Sequence, residues 1–504
     1  MIDELERSYR RLPRGGTLLA ILIAAHVLLK LALLPKVGHT PFVGDEAYYV
    51  DGGRALSNLV RDLVSLGPVD TAELERNVVG SGWFMPGMSV LLTPLFLVDP
   101  DASTFVIRCY LGVVSTVVLL LAVRTVRRTF GDRYAAILLV FPGLVPMYLL
   151  FMYAAWGDLL AGLLVVMLVA HVVTIFRQVR QGVAFTLREG AWLGLVGITI
   201  VYLRSSTALL VGGLMLVMLA SLVVLLRRRE RLRGITAMAL AGVLFVGLLL
   251  PWSVAASQSL GGRVLTTTSV PTVLANTFGE YDRICFGPCD PGSTIWFSPL
   301  RYAREVARAT DGDQVAIQSE MSSYARQGVT PQSYSRDVLG NFYAYALEPS
   351  GYNDQLMDPD TDGDTFTYWF VTLVTALMWY LSLIVLVWVL LLATRRSFDS
   401  QILSIVLKLS LGALLTQPFI HLASARYWPT AAPLLALALG LWLQVRAERR
   451  VAVGVGHDLP ALEQAVGTPS PAAVHRAFYW VQLGLAVASV TVAVGVVVVA
   501  LWPW

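Results

Sequence analysis

The sequence predicts an all-α polytopic membrane protein, and three observations predict it. Of the 504 residues, 56% are hydrophobic and only 14% charged, with a mean hydropathy of +0.65. Soluble domains carry about 25% charged residues. The apolar residues gather into about eleven runs, each near the roughly 20 residues a helix needs to cross a bilayer. Arginine clusters recur at alternate gaps between the runs, the pattern of cytoplasmic loops. The net charge is only +4, and the basic residues form short clusters beside the apolar runs. No nucleic-acid partner is expected.

The runs fall at about 17–35, 104–126, 134–151, 155–176, 190–203, 206–226, 234–252, 366–392, 402–422, 428–445 and 477–502. The first has no small-residue cleavage site after it and reads as a retained helix. The fifth is short and needs tilt or partial insertion. With the N-terminus inside, the cytoplasmic gaps carry Arg124, Arg127, Arg128 and Arg133, then Arg177, Arg180 and Arg188, then RRRERLR (227–233), then Arg395 and Arg396, then Arg446, Arg449 and Arg450. This predicts an N-in, C-out chain. It organises as an N-terminal transmembrane module (1–252), an extracytoplasmic insertion (253–365) and C-terminal transmembrane helices (366–504). The stretch 446–476 reads as a cytoplasmic linker. Arginine greatly outnumbers lysine, which hints at a GC-rich genome and, with no eukaryotic retention signal evident, at a bacterial source; a plasma (inner) membrane is the expected location.

The first outer loop, 36–103, opens with FVGDEAYYVDGG (42–53). Leu56, Leu59, Val60 and Leu63 recur at helical spacing opposite Arg54, Ser57, Asn58, Arg61 and Asp62. This predicts an amphipathic helix lying at the interface. The apolar part of GSGWFMPGMSVLLTPLFLVDP (80–100) is too short to cross and is interrupted by Pro86 and Pro94, so a re-entrant or interfacial segment is expected.

Charged and polar residues accumulate at the outer ends of the predicted spans. Asp45 and Glu46 follow span one, which Lys30 and Lys36 flank. Asp158 starts span four, Arg204 lies between spans five and six, and Trp252 ends span seven. His421, Arg426 and Tyr427 lie between spans nine and ten. Taken singly, each has a plain explanation: helix N-termini favour carboxylates, arginines snorkel, and tryptophans form interfacial belts. Together they fit a site for a phosphorylated lipid. Arginine forks match phosphate geometry, and a carboxylate can take a proton from a hydroxyl nucleophile. A transporter or scramblase for an anionic lipid-linked substrate would also place cations here. It would not need Asp45 specifically and should show symmetry between its halves.

The motifs GDEAYY, WFMPGMSVLLTPLF, VIRCYLGVVSTVVLLLAVRTVRRTFGDRYAA, LRSSTALL, LLLPWSVA and ARYWPTAAP occur in that order between about 40 and 435. Their sequence resembles the GT-C membrane glycosyltransferases of the family 39 group, which includes the dolichyl-phosphate-mannose protein mannosyltransferases and the lipid A aminoarabinose transferase. FMPGM (84–88) stands where that family often has PPGYP. The resemblance implies a GT-C-type fold with its active site facing the outside or periplasm. The implied enzyme is an inverting glycosyltransferase that moves a sugar from a polyprenyl-phosphate donor to an acceptor hydroxyl. The acceptor would be a glycan, a glycolipid or a protein, with membrane lipids around it. On this resemblance Asp45 is the base, Glu46 orients it or contacts a divalent cation, and Asp158 binds acceptor or metal. Arg204 and Arg426 hold the leaving phosphate, with His421 and Tyr427 beside them, and Tyr48, Tyr49, Trp83 and Trp252 line the cavity. A divalent cation (Mg, Mn or Ca) would sit at Glu46 and Asp158. No nucleotide-binding glycine fingerprint is evident, and no nucleotide cofactor is expected.

Within the insertion, 298–327 and 330–347 have helical character, with Ser298 and Thr330 as candidate N-caps ahead of prolines. Cys285 and Cys289 bracket CFGPC. Outside the membrane a small disulfide loop is expected, with two free thiols as the alternative. The acidic run DPDTDGDT (358–365) resembles a calcium loop without its closing glutamate.

Overall fold

The computed structural model describes residues 15–226, 228–289, 297–347, 365–395, 397–421, 425–454 and 472–502, and among them there is no strand. The acidic run 358–365, but for its last residue, and most of the 446–476 linker lie outside the described residues. The protein is an all-α polytopic membrane protein. Among the described residues, eight helices are long and apolar enough to cross a membrane by length and composition.

These eight are α1 (Gly15–Val37), α4 (Thr104–Phe130), α7 (Asp158–Arg180), α9 (Ala208–Leu225), α10 (Arg228–Leu260), α15 (Thr365–Leu391), α16 (Phe398–Leu414) and α18 (Ala472–Leu501). The other three predicted runs differ for local reasons. The 134–151 run breaks into α5 (Asp132–Val140) and α6 (Pro146–Phe151), because Pro142 and Pro146 lack the N–H that a continuous helix would need. The 190–203 run is α8 (Leu187–Leu203), 17 residues opened by a Thr186–Glu189 capping box and closed where Arg204 turns extended. The 428–445 run is α17 (Ala432–Gly454). It starts after Pro429, and its second half carries Arg446, Glu448, Arg449 and Arg450.

Polar contacts sort the helix ends into two groups. At one end Arg177 pairs with Asp399 at 2.9 Å and Arg127 with Asp132 at 2.6 Å. There Tyr134 donates to Gln444 at 2.6 Å, and the Ala184 N–H reaches Glu230 at 3.3 Å. This is where the arginine-rich gaps collect. Asp45, Asp158, Arg204 and Arg426 collect at the opposite end. Lys30, expected near the end of α1, is instead buried against α4, where Ser115 and Thr116 accept from it at 2.9 and 2.8 Å. A buried ammonium must be hydrogen-bonded, and here neighbouring backbone and hydroxyls do it.

The loop after α1 folds into α2 (Asp45–Ser65) and α3 (Gly87–Val98). The helix begins at the acidic pair itself, where Gly44 has φ 56°. Its buried face is Tyr49, Val50, Gly52, Gly53 and Ser57, not the leucine face. Leu63 is 58% exposed, leaving the predicted lipid-facing side outward. A Cβ on Gly52 would lie 2.5 Å from Ser89 Oγ, and one on Gly53 would lie 2.9 Å from Leu92. The two glycines are what lets α3 lie on α2, and Ser89 Oγ seals the contact by donating to the Tyr49 carbonyl at 3.1 Å.

The insertion holds α11 (Ser269–Phe278), α12 (Ser298–Thr310), α13 (Gln314–Ala325) and α14 (Pro331–Leu347). The predicted 298–327 helix is two helices, divided where Asp311 turns left-handed and Asp313 caps α13. Thr330 accepts from the Ser333 N–H at 3.1 Å, as expected of a cap. Ser298 is instead the first buried residue of α12. Cys285 and Cys289 are disulfide-bonded and pack in a small core with Ile284, Ala303 and Met321.

Gly53→Leu tests this packing. Overpacking a close contact costs about 1–3 kcal/mol. The variant should melt at a lower temperature in detergent than wild type, and an unchanged melting temperature would refute the α2–α3 contact.

Candidate active site

A cavity of about 320 Å³ opens at the carboxylate–arginine end of the bundle. Small-molecule sites span about 300–1,000 Å³. Five elements supply its charged side chains and the polar groups beside them. The first turn of α2 brings Asp45, the first turn of α7 brings Asp158, and the residue closing α8 is Arg204. The segment after α16 brings Gln417 and His421, and a 3₁₀ turn, 425–430, brings Arg426 and Tyr427. Thr266, Thr267 and Ser269 of the insertion form a further wall, and Tyr49 and Trp83 line it from the first loop.

Two glycines make this convergence possible. A Cβ on Gly157 would lie 2.2 Å from the Leu203 carbonyl oxygen, and one on Gly162 would lie 2.7 Å from the Pro429 and Thr430 carbonyls. The start of α7 therefore abuts both the end of α8 and the 425–430 turn. Thr430 Oγ1 fastens the turn by donating to the Asp158 carbonyl at 3.1 Å. Trp428 is buried in the same turn. It stacks on Tyr345 of α14 with centroids 4.6 Å apart and donates its indole N–H to the Tyr345 carbonyl at 2.6 Å.

The cavity charges are paired. Asp158, 1% exposed, meets Arg204 at 2.8 Å, and Asp45 meets Arg426. The Arg204 guanidinium lies 4.2 Å from the Tyr427 ring centroid, and that of Arg426 lies 4.8 Å from the Trp156 ring and 6.0 Å from Tyr427. Tyr427 Oη and His421 Nε2 are 3.2 Å apart. Aromatic faces beside guanidinium groups hold them in place while leaving their N–H edges for anions.

Glu46 does not join the cavity wall. It is 1% exposed and turned inward. Its two oxygens meet Arg108 Nη1 and Nη2 at 3.3 and 3.4 Å, and it accepts the Ala155 N–H at 2.8 Å. Arg108, wholly buried, also donates to the Thr40 carbonyl at 2.9 Å and the Tyr153 carbonyl at 3.1 Å. Burial pushes the Glu46 carboxyl up from the usual range, and the Arg108 guanidinium and the Ala155 N–H oppose it. This knot ties the start of α2 to α4 and to the 153–157 approach to α7.

The expected metal pair does not fit. Both Glu46 oxygens are taken by Arg108 and Ala155, and Asp158 is paired with Arg204. Among the described residues no group of three or more His, Cys, Asp or Glu is placed to hold a metal ion.

Of the other expected residues, Asp45, Tyr49, Trp83, Asp158, Arg204, His421, Arg426 and Tyr427 all line the cavity. Tyr48 and Trp252 stand behind the wall. Tyr48 donates to the Val78 carbonyl at 2.6 Å, and the Trp252 indole donates to the Thr266 carbonyl at 2.6 Å. Burial pushes the Tyr48 and Tyr49 hydroxyls well above their ordinary value, so neither is a base near neutral pH. Sequence reasoning missed Arg108 and Trp156. Arg108 had a usable signal, since an arginine one turn inside an apolar run demands a buried partner. Trp156 had none beyond its place before Asp158.

No family model matches this chain, and no curated protein matches it. A solved structure it is similar to is the archaeal oligosaccharyltransferase AglB from Archaeoglobus fulgidus, in complex with an inhibitory peptide and a dolichol-phosphate. The match has a TM-score of 0.42 and 14% sequence identity and covers 94% of this chain and 55% of that one. The chain thus spans about half the length of that protein.

The Glu46–Arg108 knot makes a sharp prediction. Removing one partner of a buried pair leaves an uncompensated charge and costs about 3–5 kcal/mol, whereas neutralising both is often tolerated. Arg108→Met should therefore lower the melting temperature strongly, and Arg108→Met with Glu46→Gln should recover much of the loss. Equal melting of the single and double variants would show the pair to be uncoupled.

Proposed function

We propose that the protein is a GT-C-type inverting glycosyltransferase that moves a sugar from a polyprenyl-phosphate donor to an acceptor hydroxyl. The site faces the outside or periplasm of a plasma (inner) membrane. One observation carries this: a cavity at the membrane-border end lined by Asp45 and Asp158 together with two arginines buttressed by aromatic rings. Displacing a phosphate from a sugar needs a proton acceptor on one side and fixed cations on the other. The collection of arginine-rich gaps at the opposite end supports the orientation.

In this mechanism the donor's phosphodiester lies against Arg204 and Arg426, and the acceptor hydroxyl approaches Asp45. The hydroxyl gives its proton to the Asp45 carboxylate as its oxygen bonds to the anomeric carbon. The bond from that carbon to the phosphate oxygen breaks, and its electron pair leaves with the polyprenyl phosphate. Attack opposite the leaving group inverts the anomeric configuration. The leaving phosphate gains one negative charge, and fixed guanidinium groups in a water-poor cavity stabilise that gain. Asp158 keeps Arg204 aimed at the phosphate. His421 and Tyr427 order the same wall, while Thr266, Thr267 and Ser269 offer hydroxyls to the sugar or the acceptor.

The test is transfer by purified protein from radiolabelled polyprenyl-phosphate sugars to membrane-extract acceptors. Asp45→Asn should lower the rate about 10²–10⁴-fold, the usual worth of a general base. Wild-type turnover by that variant would remove Asp45 from the role. Arg204→Ala should weaken donor binding and slow transfer, and unchanged affinity for the lipid phosphate would leave Arg204 as only a partner for Asp158.

A further inference from the structure

The cavity contains its own competitor for the donor. Arg426, expected to hold a phosphate, is paired with Asp45, the expected base. The second arginine is likewise paired, at 2.8 Å, with Asp158. Each aspartate lies in the first turn of a helix, and each arginine leans on an aromatic ring rather than on bulk water. With two carboxylates against two guanidinium groups, the cavity's own charges compensate one another, as in a site withdrawn from water they must.

An incoming phosphate brings a further negative charge and has to win a guanidinium from a carboxylate. The two pairs are not equivalent in this respect. Asp158 is 1% exposed, and its backbone is fastened by Thr430. Asp45 has a side chain 19% exposed and is the more open of the two carboxylates.

We propose that Arg426 is a two-position switch that leaves Asp45 for the donor phosphate and so turns Asp45 into a base only once the donor is bound. This rests on the lipid-phosphate reading above and adds an order to it. A carboxylate that loses its guanidinium partner is a stronger proton acceptor than one that keeps it. Phosphate capture and acceptor activation thus become one event. Donor binds first. When polyprenyl phosphate departs, Arg426 returns and quenches the base.

The experiment is a double-mutant cycle read by equilibrium binding of radiolabelled farnesyl phosphate to the full chain in detergent micelles, with farnesol and inorganic phosphate as companion ligands. Asp45→Asn should bind farnesyl phosphate about tenfold more tightly than wild type, because the phosphate no longer has to displace a carboxylate. In an Arg426→Gln background the same change should bring little or no tightening. Arg426→Lys, which keeps the cation without the fork, should show an intermediate gain. No tightening in Asp45→Asn would overturn the switch. Equal tightening with and without Arg426 would also overturn it, since Asp45 would then merely repel the anion. Inorganic phosphate reproducing the whole effect would overturn the lipid as the occupant. Binding of farnesyl phosphate by no variant would overturn the lipid-phosphate reading itself, whereas binding without coupling overturns the switch alone.

Discussion

Among the described residues, three carboxylate–arginine pairs hold the cavity end of this protein together. Glu46–Arg108 lies deepest, with Asp158–Arg204 and Asp45–Arg426 at the cavity above it. Charges at a membrane border are costly unless paired, so each pair dictates which helix ends must meet. The deep pair joins α2 to α4, Asp158–Arg204 joins α7 to α8, and Asp45–Arg426 joins α2 to the turn before α17. The cavity is the space these constraints leave open. The glycines at 157 and 162 let the backbones come close enough for the pairs to form.

A division of labour follows from depth. Glu46 and Asp45 are neighbours in sequence and first-turn residues of one helix, yet they take different arginine partners. Glu46 is sealed by Nη1 and Nη2 of Arg108 and by a backbone N–H, an arrangement suited to fixing position. Asp45 has a partner that also leans on Trp156 and Tyr427 and lines open space, an arrangement suited to exchange. The adjacent acidic pair therefore splits into one residue sealed inside the bundle and one that lines the cavity.

Much of the site was legible in the sequence because its logic is electrostatic. Asp45, Asp158, Arg204, His421, Arg426 and Tyr427 stand out as polar residues at the ends of apolar runs, and the alternation of arginine-rich gaps puts them all on one side. What was not legible depended on side-chain direction. Helix periodicity alone did not tell that Glu46 turns inward, that Tyr48 and Trp252 stand one layer behind the cavity, or that Lys30 is satisfied inside the bundle. Lys408 makes the same point from another helix: it is buried and donates to the Leu392 and Gln482 carbonyls, a structural role for an intramembrane charge. The span boundaries were legible except where proline, a cap or a charged half-helix cut a run short. The leucine periodicity of α2 pointed to its lipid side, while the face that packs is marked by two glycines, which carry no hydropathy signal.

The central claim is that this cavity displaces a lipid phosphate from a sugar in a single inverting step. The most direct test is to follow the anomeric configuration of the product by NMR, using purified protein, a polyprenyl-phosphate sugar of known configuration and an accepting glycan, glycolipid or peptide. The account predicts a transferred sugar whose anomeric configuration is opposite to that of the donor. Retained configuration, or binding of the donor with no transfer to any acceptor, would contradict it.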